Sequence, residues 1–347
     1  MNNCPEQIKK FDKFVAYVPP GQFRLLSKQN RKKSYSVRKP GDDFTLLRKI
    51  KRKFIRTPHT NTYFFEGFYK AAKFLNLNAY WIDNQEDLEN VVDDKTIVLC
   101  EGSYFPDLNK KLNCKYVLHS IPSNWTERYS ELSARKQCLH LDLFKNKALK
   151  HSKIDELTYF DEKEFTLYQP WAGNLMPSEI VDIDYLKNID YKYSYYIGLL
   201  YGDGSHKAKA LNHSLSSSKK RTQIKCVTGA SHFTTQELTL KSSICLDIRY
   251  DHHLEIGYVP CRIFKTLSFG REIYVNSKYI KDYLKNIPFV KYYKNEECLK
   301  NQYDKFCSMN ASIREVFYKE KMLTLNKIKE KHTFVNRLNN ILRVFSE

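Results

Sequence analysis

The sequence predicts an α/β protein with two domains, each built on a parallel sheet that helices cover on both faces. Three observations lead to this prediction. The chain has 347 residues, a usual length for two domains. Short continuous apolar runs, typical of buried parallel strands, alternate with segments of helical period. The alternation stops near Tyr168–Gly173 and then begins again, so each half has its own series of strands and helices.

In the first half, apolar residues recur at helical spacing from Phe64 to Leu75 and form continuous runs on either side of that segment. The predicted strands are Phe14–Val18, Asn78–Asp83, Thr96–Glu101 and Lys115–His119, and the predicted helices are Phe64–Leu75, Gln85–Val92 and Pro106–Leu112. Phe44–Arg56 fits either an irregular helix or an edge strand, and both alternatives stay open.

The second half repeats the pattern and ends in a helix that has apolar residues on one face. The predicted strands are Tyr195–Gly202, Gln223–Thr228, Ser243–Arg249 and Glu272–Asn276, and the predicted helices are Lys207–Lys220, Thr234–Lys241, Cys261–Phe269 and Thr333–Phe345. The two halves therefore predict two Rossmann-like units in tandem, which face each other across a cleft.

Charge is distributed unevenly along the chain. The 58 Lys and Arg residues exceed the 39 Asp and Glu residues by 19, and Arg24–Arg56 alone contains thirteen basic and two acidic residues. A basic block of this kind attracts polyanions: nucleic acid, anionic lipid headgroups or phosphorylated small molecules. Charge by itself does not choose among them.

Several features predict a cytoplasmic protein. The nine cysteines include no C-x-x-C pair, which indicates reduced thiols. Met1–Lys10 lacks the apolar stretch of a signal peptide, and no apolar run approaches the roughly 18 residues that span a bilayer. Peripheral contact of the basic block with an anionic membrane is a further expectation.

Ligands of open parallel sheets bind at the carboxyl ends of strands, so residues at those ends are the candidates for function. In the first half they are Asp83, Glu101 and His119. In the second half they are Gly198, Tyr201, Gly202, Asp247, Arg249, Tyr258, Val259, Pro260, Cys261 and Arg262. The Gly202-Asp203-Gly204 loop suits either a phosphate contact or an ordinary turn, because a lone Gly-x-Gly is weak evidence.

One stretch, Gly257–Ser277, carries a more specific pattern: an apolar residue and Pro, then Arg262 and Lys265, a helix that ends at Gly270, and a strand. It resembles the donor-binding stretch of GT-B glycosyltransferases, which have two Rossmann-like domains. Three other segments are similar to parts of that family: Phe65–Lys73 to the first acceptor-domain helix, Tyr168–Trp171 to the interdomain crossing, and His332–Leu338 to the closing helix.

The resemblance implies a division of the chain into four parts. These are a basic extension at 1–48, an acceptor domain at 49–172, a nucleotide-sugar donor domain at 173–325 and a helix at 326–347 that packs back on the acceptor domain. The amide groups and Arg262 at the start of the helix near Val259 would meet the donor diphosphate. Lys265 stands where many members have a Glu that contacts the ribose, so Lys265 is expected to pair with a phosphate instead.

The function that follows is transfer of a sugar from a nucleotide-diphosphate sugar to a glycan, lipid or protein acceptor. An inverting enzyme needs a carboxylate or His as base, whereas a retaining enzyme depends more on positioning and on stabilisation of the leaving diphosphate, and the sequence does not choose between them. His119, Glu101 and Asp83 are the candidate bases. No metal site and no cofactor besides the donor is expected, nor any specific nucleic-acid partner. The alternative is a protein that binds nucleic acid or another polyanion through residues 24–56.

Overall fold

The computed structural model of the chain describes residues 10–19, 36–38, 60–101, 104–107, 112–119, 131–143, 152–198, 200, 202–228, 230, 232–255 and 257–347. The chain divides into two units. Unit 1 takes in the described residues of Met1–Leu26, Pro58–Met176 and His332–Glu347, and unit 2 those of Ser27–Thr57 and Pro177–Lys331. Each unit is an α/β structure built on strands that pair mostly in parallel.

The sheet of unit 1 has eight strands among the described residues. They are β1 (Lys13–Tyr17), β3 (Asn78–Ile82), β4 (Thr96–Glu101), β5 (Lys115–His119), β6 (Cys138–Asp142), β7 (Ser152–Lys153), β8 (Tyr159–Asp161) and β9 (Thr166–Tyr168). Their order is β3-β1-β4-β5-β6-β9-β8-β7, and the strands from β3 to β9 run parallel. The antiparallel β7 and β8 extend one edge.

Helices lie on both faces of this sheet. Neighbouring side chains of a strand point to opposite faces, and consecutive residues of β1 are apolar and buried, so both faces need to be covered. Phe14 of β1 stacks on Phe68 of helix α1 (Thr60–Phe74), with 6.4 Å between ring centroids. Val15, the next residue, packs in a core cluster with Leu88 of helix α2 (Gln85–Val91). The helices that follow β1 and β3 therefore cover opposite faces.

The last helix of the chain, α10 (Phe334–Ser346), also belongs to unit 1. Its Phe334 ring lies against Phe68 of α1, with centroids 5.0 Å apart. Gly67 makes this approach possible, since a Cβ there would lie 2.3 Å from the Phe334 ring. Thr333 and Asn336 form a capping box that begins the helix.

The strands of unit 2 form two three-stranded groups. They are β2 (Ser36–Arg38), β10 (Tyr193–Ile197) and β11 (Gln223–Thr228) in one group and β12 (Leu246–Asp247), β13 (Ile273–Val275) and β14 (Val290–Tyr292) in the other. The Ser243 amide donates to the Tyr193 carbonyl (2.9 Å), and the Ser194 hydroxyl donates to the Ile244 carbonyl (2.6 Å). These bonds place β10 beside β12.

Seven helices of unit 2 are described: α3 (Gly202–Ser216), α4 (His232–Lys241), α5 (Asp251–Glu255), α6 (Cys261–Ser268), α7 (Lys278–Tyr283), α8 (Glu296–Cys307) and α9 (Ala311–Lys331). Tyr196 of β10 packs with residues of α3 and α8 in the main core. Its neighbours Tyr195 and Ile197 pack against Leu238 of α4. Unit 2 thus also has helices on both faces of its sheet.

Both units share one arrangement of parallel strands: the first strand in sequence lies between the second and the third. In unit 1 the order is β3-β1-β4, and in unit 2 it is β11-β10-β12. The connection after the first strand leads to its neighbour on one side, and the next connection leads to its neighbour on the other side. This reversal of direction opens a crevice at the carboxyl end of the first strand. In unit 2 that crevice lies between the carboxyl ends of β10 and β12.

The structure differs from the sequence prediction at the start of the chain. Within the segment predicted as an extension, residues 1–48, β1 is buried and pairs with β3 on one side and β4 on the other, so this strand is part of the sheet of unit 1. The division between units falls at Met176/Pro177 and Lys331/His332, whereas the predicted boundaries are 172/173 and 325/326. Of the basic segment 24–56, only Ser36–Arg38 is described, and Phe44–Arg56 lies outside the described residues.

Several element boundaries also differ. The predicted helix Lys207–Lys220 begins earlier, at Gly202, because the glycine-containing turn is itself the first turn of α3. The predicted strand Ser243–Arg249 is reduced to β12, and Tyr195–Gly202 shifts to Tyr193–Ile197. Pro106 and Asp107, the described beginning of a predicted helix, are not helical. Across the part of the chain that the structure describes, no helix has the length and apolar character needed to cross a membrane.

Candidate functional site

A buried carboxylate joins two arginines at the carboxyl end of β12. Asp247 ends this strand and its side chain is wholly buried. One oxygen, Oδ2, accepts a hydrogen bond from Arg249 Nε at 2.6 Å, and the other, Oδ1, accepts one from Arg262 Nη1 at 2.8 Å. A buried carboxylate with two cationic partners is held in place, and it orients both guanidinium groups in turn.

Arg262 connects the two strands that border the crevice. It lies in the first turn of α6, and its Nε donates to the carbonyl of Ile197, the last residue of β10, at 3.1 Å. Its guanidinium carbon lies 4.0 Å from the centre of the Tyr196 ring, a cation–π contact. Arg262 therefore bridges the carboxyl ends of β10 and β12 at the point where strand order reverses.

Gly198 permits this arrangement. Its φ of +138° is a conformation that residues with side chains rarely adopt. A Cβ at this position would lie 3.1 Å from Arg262 Nη2, so a larger residue would push against the guanidinium. Gly198 is thus needed both because its backbone conformation disfavours a side chain and because a side chain would press against Arg262.

Arg249 retains an unused hydrogen-bond donor. The residue is 2% exposed, and among the described residues its Nη2 has no hydrogen-bond partner. Its guanidinium lies 5.2 Å from the ring centre of Tyr258, whose pKa burial raises to about 12, so that the phenol is neutral. A buried unpaired donor on a cation is costly, and an anionic oxygen would satisfy it.

Two helices begin near this cluster, and their N-termini differ. At α6 the N-cap is Pro260, which makes no side-chain hydrogen bond to the first amides of the helix. Val259 before it is buried and has an apolar side chain, so only its backbone atoms can bind a polar ligand. At α3 the carboxylate of Asp203 accepts a hydrogen bond from the Asp251 amide at 3.0 Å. Burial acts to raise the pKa of Asp203, but hydrogen bonds from the amides of Asp251 and Gly204 hold it below its usual value. The α6 terminus is therefore better suited to an added anion.

The Gly202-Asp203-Gly204 segment forms the start of α3. Gly202 has a φ of +52° with nothing within 4 Å of a Cβ, whereas a Cβ on Gly204 would lie 2.6 Å from the Tyr250 ring. Lys207 holds the next loop by donating to the Arg249 carbonyl (2.9 Å) and to Asp251 (2.7 Å). Gly204 thus allows close packing at the start of α3, whereas Gly202 provides a backbone conformation that residues with side chains rarely adopt.

The structure brings most of the predicted donor-binding residues together. Gly198, Asp247, Arg249, Tyr258 and Arg262 form one connected cluster. Cys261 begins α6 and is half-buried, as is Lys265, one turn beyond Arg262. Tyr201 lies outside the described residues.

In unit 1 two of the three candidate bases lie side by side. Glu101 and His119 end the adjacent strands β4 and β5 and are register partners. Asp83 follows β3, which β1 separates from β4, so about two strand spacings lie between them. The Asp83 carbonyl accepts a hydrogen bond from the Tyr104 hydroxyl at 2.8 Å.

His119 is a buried neutral imidazole. It is 7% exposed, and its ring lies 5.0 Å from that of Phe64 and 5.4 Å from that of Trp171. Its Nδ1 lies 3.3 Å from the Leu141 carbonyl, which fixes the proton on that nitrogen. Burial lowers its pKa, although the Leu141 carbonyl and the Glu101 carboxylate oppose that shift.

Two residues of these sites are absent from the sequence prediction. Asp142 ends β6, the strand beside His119, and was missed because β6 itself was not predicted. The ring of Tyr196 packs against the Arg262 guanidinium. The position of Tyr196 within a predicted strand, two residues before Gly198, is the sequence feature that could have identified it. Among the described residues no group of three or more His, Cys, Asp or Glu is arranged to hold a metal ion.

Comparisons with known proteins give limited similarity. No protein-family model matches the sequence, and no curated protein matches it. Among solved structures, TarM is similar at 11% identity and a TM-score of 0.40, over 76% of this chain and 57% of TarM, so the chain spans little more than half of that protein. The DNA modifying enzyme β-glucosyltransferase, studied with and without uridine diphosphoglucose, is similar at 10% identity and a TM-score of 0.43, over 95% and 99% of the two chains. Trehalose-6-phosphate from E. coli, bound with UDP-2-fluoro glucose, is similar at 10% identity and a TM-score of 0.41, over 96% and 99%.

Proposed function

We propose that the protein is a GT-B glycosyltransferase that moves a sugar from a nucleotide-diphosphate sugar to a glycan, lipid or protein acceptor. The observation that carries this proposal is the Arg262–Asp247–Arg249 cluster in the crevice between β10 and β12. Ligands of doubly wound sheets bind at this crevice, and two arginines with one carboxylate leave a net charge of +1 there. Such a site favours an anionic ligand.

The chemistry follows from the charge that develops in the reaction. When the bond between the sugar and the diphosphate breaks, negative charge collects on the diphosphate oxygens. Arg262, Arg249 Nη2 and the first amides of α6 are donors positioned before the reaction begins, so they stabilise this charge without reorganisation. These three donor groups can stabilise a leaving diphosphate through hydrogen bonds without a metal ion, and we propose metal-independent transfer.

Unit 1 is the proposed acceptor domain, and Glu101 with His119 is the proposed base. The lowered pKa of His119 leaves its imidazole neutral at pH 7, the protonation state in which it can accept the proton of an acceptor hydroxyl. Glu101 as the register partner would stabilise the imidazolium that forms. Asp83, two strands away, is the weaker candidate.

The experiment that tests this function is a hydrolysis panel of nucleotide sugars without an acceptor. The full chain is incubated with UDP-, GDP- and ADP-linked hexoses, and release of the nucleoside diphosphate is measured. We expect one nucleotide series to be hydrolysed above the rate of the Arg249→Leu variant, while Arg314→Leu, on the exposed side of α9, retains the wild-type rate. Equal release by wild type and Arg249→Leu with every donor would contradict the proposal.

The alternative, binding of a polyanion through residues 24–56, makes a different prediction. It requires binding of nucleic acid that deletion of 24–56 abolishes, with no response to nucleotide sugars. The Arg262–Asp247–Arg249 cluster of unit 2 favours the transferase.

A further inference from the structure

Two aromatic rings from different parts of unit 1 lie against the imidazole of His119. The Phe64 ring of α1 is 5.0 Å from the imidazole, and the ring of Trp171, three residues after β9, is 5.4 Å from it. The two aromatic rings also contact each other, with centroids 5.3 Å apart. All three side chains are buried. The candidate base therefore lies in an aromatic environment that keeps water from much of its ring.

Hydrogen bonds fix the backbone next to Trp171 on two sides. The Gln169 amide donates to the carbonyl of Asp142 at the end of β6, at 3.0 Å. The Pro170 carbonyl accepts a hydrogen bond of 2.8 Å from Nε of Arg337, a buried residue of α10. The indole thus lies on a segment that is bonded both to the sheet and to the last helix of the chain, and the fold of unit 1 sets its position.

The indole of Trp171 contributes packing and no hydrogen bond. Within the ranges that the structure describes, its Nε1 is buried and has no hydrogen-bond partner. A buried N–H without a partner costs stability, so hydrogen bonding does not explain a tryptophan at this position. The large apolar ring that lies against His119 does explain it.

Of the two nitrogens of the His119 imidazole, one is engaged by the protein. Nδ1 lies 3.3 Å from the Leu141 carbonyl, and no hydrogen bond to Nε2 is found among the described residues. The charged groups that face the ring are Glu101 of β4 and Asp142 of β6. Burial lowers the pKa of the imidazole and outweighs the Leu141 carbonyl and the two carboxylates, which raise it. Much of that burial is provided by the aromatic rings.

We propose that Trp171 is a positioning residue for His119: together with Phe64, its ring excludes water from the imidazole and holds it so that Nε2 is the nitrogen offered to the acceptor hydroxyl. This inference rests on the proposed function in one respect, the role of His119 as base. The exclusion of water and the orientation of the imidazole are properties of the folded chain, and both are measurable without a substrate.

The test is an NMR titration of His119 in the full chain, with His119→Gln to identify its signals. In Trp171→Leu water reaches the imidazole, so we expect its proton affinity to rise about tenfold, with a matching rise of the pKa. The ¹⁵N shifts should change from those of the Nδ1-protonated tautomer to those of a mixture, because the ring is held less firmly. Trp171→Phe keeps an aromatic ring without the N–H, and we expect less than half of both changes.

The matched control is Trp81→Leu, the same substitution on β3, where the indole lies against Phe65 and Tyr69. Because β1 and β4 separate β3 from β5, His119 should titrate in this variant as in the wild type. Unchanged pKa and tautomer in Trp171→Leu, or equal changes in Trp81→Leu, would overturn the proposal. If Trp171→Leu does not fold, Trp171→Met fills more of the gap and has the same two expected results.

A pH profile of the nucleotide-sugar hydrolysis assay separates this inference from the proposed function. With His119 as base, the acid limb of the rate should move to higher pH in Trp171→Leu and stay in place in Trp81→Leu. A wild type that hydrolyses no donor contradicts the proposed function, while the titration still decides whether Trp171 positions the imidazole. A changed titration without movement of the acid limb would remove both residues from the reaction.

Discussion

Arg262 and Asp247 meet across the reversal of strand order in unit 2, with 2.8 Å between Nη1 and Oδ1. Arg262 lies in the first turn of a helix and Asp247 ends a strand, so this pair connects the two kinds of element that border the crevice. A second arginine, Arg249, uses the other oxygen of the same carboxylate. The proposed donor site depends on this shared carboxylate, and the predictions below test it first.

Asp247→Asn should destabilise unit 2 strongly. The change leaves the buried guanidinium group of Arg249 and the partly exposed one of Arg262 without their anion, and removal of one partner of a buried ion pair typically costs about 3–5 kcal/mol. Urea denaturation at pH 7 measures the loss. Asp251→Asn is the matched control, because Asp251 pairs with Lys207 at an exposed position and its loss should cost far less. Equal losses would show that Asp247 does not hold the cluster.

Gly198→Ala should weaken binding of a nucleoside diphosphate as well as stability. The strain at a φ of +138° costs about 1–3 kcal/mol, and the new methyl group displaces Arg262 Nη2. Gly270→Ala is the comparison: it has a φ of +71° and a Cβ 2.9 Å from Lys321 Cε, away from the site. We expect both variants to lose stability by chemical denaturation, but only Gly198→Ala to lose affinity in calorimetric titration. Loss of affinity in both would contradict this role.

His119→Gln should remove a pH dependence of stability. Burial lowers the pKa of His119 in the folded state, so below the ordinary value of 6.5 the unfolded state binds a proton that the folded state does not. The stability that neutral His119 contributes is complete above pH 6.5. It declines as the pH falls from 6.5 towards the lowered pKa of His119 in the folded state. The wild type should therefore lose more stability than the variant between pH 7.5 and pH 5, as measured by the melting temperature. Parallel curves would show that His119 titrates normally.

Glu101→Gln and Asp83→Asn should separate the candidate bases. If Glu101 and His119 act together, Glu101→Gln and His119→Gln each lower turnover in the hydrolysis panel by about 10²-fold or more, while the affinity for the donor is unchanged. Asp83→Asn should keep at least half of the wild-type rate, since β1 separates its strand from β4. A large loss in Asp83→Asn alone would reverse the assignment.

The sequence predicts strands best where apolar runs are continuous. Thr96–Glu101 and Lys115–His119 agree with β4 and β5 at both ends, because buried parallel strands form continuous apolar runs. β12 is shorter than predicted, since Arg249 leaves the strand to reach Asp247. The start of α3 was missed because glycines weaken the helical pattern, and β1 was placed in an extension because its pairing with β3 and β4 is non-local.

The sequence predicts which residues lie at the candidate site, but it does not predict the contacts between their atoms. The spacing of Asp247, Arg249 and Arg262 at strand and helix ends indicates one crevice. Which arginine atoms remain unused depends on packing against Tyr196 and Tyr258, which no local pattern encodes. The sequence likewise leaves the Gly202-Asp203-Gly204 segment as either a phosphate contact or an ordinary turn, whereas the structure places Asp203 in the first turn of α3, where its carboxylate accepts a hydrogen bond from the Asp251 amide.

Calorimetric titration of the full chain with UDP, GDP and ADP tests the central claim most directly. We predict that one of these diphosphates binds and, at 100 times its Kd, stabilises the folded state by about 2.7 kcal/mol, and that Arg262→Leu abolishes the effect. Arg314→Leu should bind the same diphosphate as the wild type does. Absence of heat and of stabilisation with every diphosphate, or undiminished binding in Arg262→Leu, would contradict a diphosphate site at the β10–β12 crevice.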